Sequence, residues 1–99
     1  MTRSVQRPPR EVEVRLTLFV TGQTPRSQNA VVNLKQFCDR FLADRYELEV
    51  VDIYRDPERA RDAHIVAAPT LVRNLPPPRR IAIGDLSDAA ALRSLLVFA

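Results

Sequence analysis

The chain has no tryptophan, one cysteine, two glycines, one histidine and one lysine in its 99 residues. Each shortage excludes something. One cysteine cannot close an internal disulfide or form a Cys-x-x-Cys dithiol, which fits a reducing compartment. A lone histidine and a lone cysteine give no paired ligand spacing for zinc, so no metal or other cofactor is expected. Two glycines leave no glycine-rich phosphate loop. No apolar run approaches the roughly 20 residues of a membrane span. The first residues are rich in Arg, Pro and Ser and lack the apolar stretch of a signal peptide. A cytoplasmic protein is expected. With only six aromatics, two Tyr and four Phe, the core must be mostly aliphatic.

What is present suffices for one modest domain. The hydrophobic fraction of 45% is ordinary and supports a folded chain. Net charge is +3, and 14 of the 15 basic residues are arginines. Arginine grips carboxylates and phosphates with a planar fork. Arg3, Arg7 and Arg10 fall in residues 1–11, which read as a flexible arm broken by Pro8 and Pro9. The domain proper spans 12–99 and is close to neutral.

Its elements follow from periodicity. Val12, Val14, Leu16, Leu18 and Val20 alternate with other residues, which predicts a strand. Gly22 to Pro25 is a turn, and Thr24 or Ser27 can cap the helix expected over 27–43, whose apolar stripe is Ala30, Leu34, Phe37, Cys38 and Phe41. Tyr46 to Tyr54 reads as a second strand. Strands joined by a helix crossover run parallel. Asp56-Pro57-Glu58 starts a second helix running to about Ile65, which Ala68-Pro69 breaks. Thr70 to Leu75 and Arg79 to Ile83 read as a hairpin across Pro76-Pro77-Pro78. Ser87 caps a last helix, with Asp88 in its first turn and Leu92, Leu95 and Leu96 as its apolar stripe. The order is βαβαββα: a mixed four-stranded sheet with three helices, an α/β domain of thioredoxin-like arrangement.

In that frame the segment after the first strand would hold the redox cysteines, and Pro69 would be the cis-proline at the head of a strand. Here Thr21-Gly22-Gln23-Thr24-Pro25-Arg26-Ser27 stands in the first place. Cys38 lies about three turns into the helix, on its apolar stripe, and reads as a buried hydrophobe. Ser27 reads as a cap. Glu47, Glu49, Asp52 and Asp56 read as solvent-facing acids and a cap. His64, near the end of the second helix, suits the helix dipole. Arg73, Arg79 and Arg80 form a basic edge around the triproline. No aromatic stacking groups lie near it, which disfavours nucleic acid and leaves a protein partner or a plain solvated edge. The chain is not expected to be an enzyme; a thioredoxin-fold redox or transferase enzyme is the alternative, disfavoured by the missing Cys-x-x-Cys.

Together, Leu16 to Ser27, Leu48-Glu-Val-Val-Asp-Ile-Tyr54, Ala68-Pro-Thr-Leu71, Leu75-Pro-Pro-Pro78 and Ile83-Gly-Asp-Leu-Ser87 resemble the KaiB family of circadian-clock proteins, in order and ungapped spacing over 16–97. The resemblance implies a non-enzymatic regulator of the KaiC ring ATPase. KaiA-like proteins and a histidine kinase with a sensor domain of the same fold are further partners it implies. It also implies fold switching. A thioredoxin-like monomer binds KaiC, and a rearranged C-terminal half forms the alternative ground state as a dimer or tetramer. The implied contact surface holds Arg59, Arg61, His64 and Arg73, with Asn29 where some members have arginine. Clock-type members carry glycine and aspartate where this chain has Leu95 and Val97. Leucine favours a helix over glycine by up to about 1 kcal/mol, so the thioredoxin-like form is expected at rest.

Overall fold

The computed structural model describes residues 12–97. The arm expected over 1–11 lies outside them. Seven elements follow in chain order: β1 (Val14–Val20), α1 (Pro25–Phe41), β2 (Tyr46–Asp52), α2 (Pro57–Asp62), β3 (Thr70–Leu75), β4 (Arg80–Ile83) and α3 (Ala89–Leu96). They form a four-stranded sheet in the order β2-β1-β3-β4. β1 runs parallel to β2, with Val14 opposite Tyr46 and Val20 opposite Asp52. β3 is antiparallel to both β1 and β4. The fold is the mixed α/β arrangement that the sequence predicts.

Alternation along the strands divides the core. Val14, Leu16, Leu18 and Val20 turn to one face and pack with Ala30, Leu34 and Cys38 of α1 and Leu92 and Leu96 of α3. Phe19 and Val72 turn to the other face, where Val51 and Ala60 of α2 complete a small cluster. A strand side chain sees only one face, so α1 and α3 form one layer and α2 the other.

The ends of the elements differ from expectation in instructive ways. α1 begins at Pro25 because Thr24 is its cap: Thr24 Oγ1 accepts the Ser27 amide at 3.3 Å. Ser27 is thus inside the helix, and its hydroxyl accepts the Thr21 amide at 3.1 Å. Asp88, not Ser87, caps α3, accepting the Ala91 amide at 3.1 Å. Asp56 stands at the α2 N-cap but makes no side-chain cap bond.

α2 stops before Ile65, and not because of Pro69. His64 adopts φ 59°, its amide reaches the Arg61 carbonyl, and the Ile65 amide reaches the Ala60 carbonyl at 2.9 Å. That paired pattern closes a helix with a left-handed residue. The Ala68–Pro69, Leu75–Pro76 and Pro77–Pro78 peptides are cis. Pro69 is buried, and its carbonyl accepts the Gly84 amide at 2.9 Å. Gly84 has φ 121°, a conformation side-chain-bearing residues rarely adopt.

Candidate partner-binding surface

The place where a thioredoxin-like domain would hold its dithiol contains hydroxyls committed to the backbone. Thr21 Oγ1 lies 3.3 Å from Thr24 Oγ1 and 3.4 Å from Ser27 Oγ. Two of them hold amides as described, and Ser27 is almost fully buried. Asp52 is no simple solvent-facing acid. Its Oδ1 accepts the Gly22 amide at 3.3 Å and the Tyr54 amide at 2.9 Å, fixing the loop ends after β1 and β2. Cys38 is fully buried among aliphatics. Burial, then the neighbouring Asp39 charge, pushes its thiol up to about 12, far from the depressed values of reactive thiols. Among the described residues no cluster of three or more His, Cys, Asp or Glu is placed to hold a metal ion.

The second layer is chemically richer. α2 has only six residues and buries Ala60 against the sheet. Arg59 leaves that helix and forks onto Glu49 of β2, with Nη2 at 2.8 Å from Oε1 and Nη1 bonded to Oε2. The donated bonds hold the Glu49 carboxyl below the usual range and raise the Arg59 guanidinium. Glu47 meets Arg15 at 3.5 Å. Both glutamates, expected to face solvent alone, are ion-paired on a partly exposed face. Asn74 donates to Thr17 Oγ1 at 2.9 Å on the same face. Arg79 reaches back from the triproline tip, and its Nη2 donates to the Ala63 carbonyl at 2.7 Å. A cation on a terminal carbonyl of a helix favours the dipole. Between α2 and this tip lies a cleft of about 260 Å³ bordered by Arg59, Asp62, Arg79 and Asn74.

The expected contact residues therefore divide. Arg59, Arg61, His64 and Arg79 gather on or against α2. Asn29 is exposed on α1, in the opposite layer. Arg80 is exposed on β4, where alternation places it with Ala82 on the α1–α3 side.

Arg73 corrects the expectation outright. It is 5% exposed. Its Nη1 donates to the Leu95 carbonyl at 2.7 Å and its Nη2 to the Pro78 carbonyl at 2.8 Å. Strand alternation points it inward, and the loose carbonyls at the end of α3 and the triproline draw its fork. It braces the interior and is unavailable to a partner. The Glu49–Arg59 fork was missed in the sequence. Its signal was the alternation of Glu47 and Glu49 along β2, in parallel register with Arg15 and Thr17.

Fold and site together define a thioredoxin-fold domain whose dithiol position holds hydroxyls bonded to backbone amides. The KaiB domain model matches residues 17–98. The chain belongs to the KaiB family. Circadian clock protein KaiB3 of Synechocystis sp. is 41% identical over 73 residues, covering 74% of this chain and 72% of that protein. Circadian clock oscillator protein KaiB of Prochlorococcus marinus subsp. pastoris is 44% identical over 73 residues, covering 74% and 68%. Among solved structures, the N-terminal domain of Synechococcus elongatus SasA superposes with a TM-score of 0.72 at 29% identity, over 98% of this chain and 93% of that one. Fasciola hepatica thioredoxin gives 0.70 at 16% identity, over 87% and 80%, a likeness of fold alone. No helix among the described residues is long and apolar enough to cross a membrane.

Proposed function

We propose that this chain is a non-enzymatic, cytoplasmic KaiB-like regulator that binds a KaiC-type ring ATPase in circadian or related timing signalling. The observation that carries the reading is the grouping of Arg59, Arg61, His64 and Arg79 at α2 in a domain of this family. Arg61 and His64 are exposed, and neither takes part in the ion pairs of the described residues. Asn29 and Arg80 lie away from this group, on α1 and β4. A KaiA-like protein is a further candidate partner.

The test is size-exclusion chromatography of the full chain with a KaiC-type ring and nucleotide. Co-elution is expected, and R61E with H64E should abolish it while far-ultraviolet circular dichroism stays unchanged. A lone small peak for the chain in the presence of the ring and nucleotide would reject the ring ATPase. The second reading, a divergent paralogue that binds a histidine kinase, would then be tested in the same format. It is favoured by the extent of the SasA N-terminal domain superposition.

The thioredoxin-like form is also proposed as the resting, monomeric state. Leu92 and Leu96 are buried, Leu95 and Val97 pack beside them, and the Leu95 carbonyl is held by Arg73. Chemical shifts for 88–97 should report helix; strand shifts there would reject this.

A further inference from the structure

The groove between α1 and α3 lies on the layer opposite α2 and has no role in the proposed function. It encloses about 220 Å³. Its floor is apolar, from Phe37, Leu86 and Leu92. At one end stands Phe41, whose ring lies 4.6 Å from that of Phe37. Two guanidinium groups sit over the Phe41 ring, Arg40 at 5.4 Å and Arg93 at 5.1 Å from its centroid. Arg15, Arg45 and Arg59 each meet a carboxylate within 4 Å. Arg40 and Arg93 meet an aromatic ring instead and appear in no ion pair of the described residues. The nearest acids of the α3 entry, Asp85 and Asp88, accept backbone amides of Ser87 and Ala91. The Asp39 carboxylate accepts the Tyr46 hydroxyl at 2.8 Å.

We infer that this groove is a second docking site, taking a short acidic peptide segment of a protein partner that seats one large apolar side chain between α1 and α3 and sets its carboxylates against Arg40 and Arg93. Charge complementarity selects the occupant. Two exposed cations oriented by an aromatic ring, next to an apolar slot, offer an anchor and a rim in the arrangement that concentrates binding energy at interfaces. The ring beneath the guanidinium groups is already occupied by them and by Phe37, so it offers no stacking platform to a nucleic acid base. The site is independent of the α2 surface, so both can be engaged at once.

The experiment is a two-dimensional NMR titration of the full chain, isotope-labelled, at low salt. The probe is an acetylated peptide of sequence Glu-Asp-Leu-Phe-Glu-Asp-Glu. Saturable shifts confined to 33–41 and 86–93 are expected, weakening as salt rises. R40E with R93E should weaken binding about tenfold or more and should create binding of the charge-reversed peptide Lys-Arg-Leu-Phe-Lys-Arg-Lys. Q36E adds one negative charge at the rim without touching the core and should weaken binding severalfold. Replacing Leu-Phe by Ser-Ser in the probe should remove it. Absence of saturable shifts, shifts centred on 57–64, or unchanged binding by R40E with R93E would overturn the proposal. So would a single-stranded oligothymidylate that displaces the peptide from the same residues.

Discussion

The two faces of the sheet solve different problems. The α1–α3 face buries thirteen hydrophobic residues in one cluster, while the α2 face buries four under a six-residue helix. Burial of an aliphatic side chain contributes about 1.5–3 kcal/mol, so most of the stability resides on the first face. The second face is stitched by polar contacts that are partly open to water: Arg15 to Glu47, Arg59 to Glu49, Asn74 to Thr17. Regions with few buried apolar contacts open at low free energy. The layer with the expected partner residues is therefore also the layer most easily reshaped.

That contrast can be broken first from the thick side. Leu34 is fully buried, and Leu34→Ala should lose about 3 kcal/mol. Urea unfolding would measure it, and a loss under about 1 kcal/mol would mean the core is looser than described. Next is Arg73→Met, which leaves the Leu95 and Pro78 carbonyls without this donor inside the fold. A loss of about 2 kcal/mol is expected, with amide exchange accelerated in α3 more than in α2. Equal acceleration in both would break the division into layers. Thr24→Ala removes the α1 cap and should cost about 1 kcal/mol, read as a lower unfolding midpoint with an unchanged slope.

The smallest effect is on the thin side. Arg59 depresses the Glu49 carboxyl, so the pair's contribution is present above the unfolded-state value and is lost as pH falls through the folded one. Both side chains are about half exposed, which limits the effect to under about 0.5 kcal/mol after solvent screening. Glu49→Gln should flatten stability against pH below about 5 by that small amount. A flattening several times larger would place the fork among the main supports of α2.

Much of this fold was legible because alternation and helical spacing are written plainly in Val14 to Val20 and Ala30 to Cys38. Helix ends were harder. Ser27 and Thr24 are both good caps by type, and only the backbone angle at Thr24 chooses between them. The end of α2 was misplaced because a histidine closes it where glycine usually does. Arg73 was misread for a different reason. Local pattern cannot distinguish an arginine at a hairpin edge from one turned inward to the end of α3, since its two acceptors lie 22 and 5 residues away. The expected contact set was clearest at α2, where one short element carries Arg59 and Arg61 and His64 follows just past its end. The α1–α3 groove had no linear signature, because Phe41 and Arg93 meet only through packing.

The single thiol has a practical consequence. With Cys38 out of solvent and its pKa near 12, its anionic fraction at pH 8 is on the order of one in ten thousand. Maleimide dyes should pass it by under native conditions. A cysteine introduced at an exposed position such as Gln36 or Arg61 would then accept one fluorophore per chain. Distance and anisotropy measurements on either layer should then need no prior removal of a native residue.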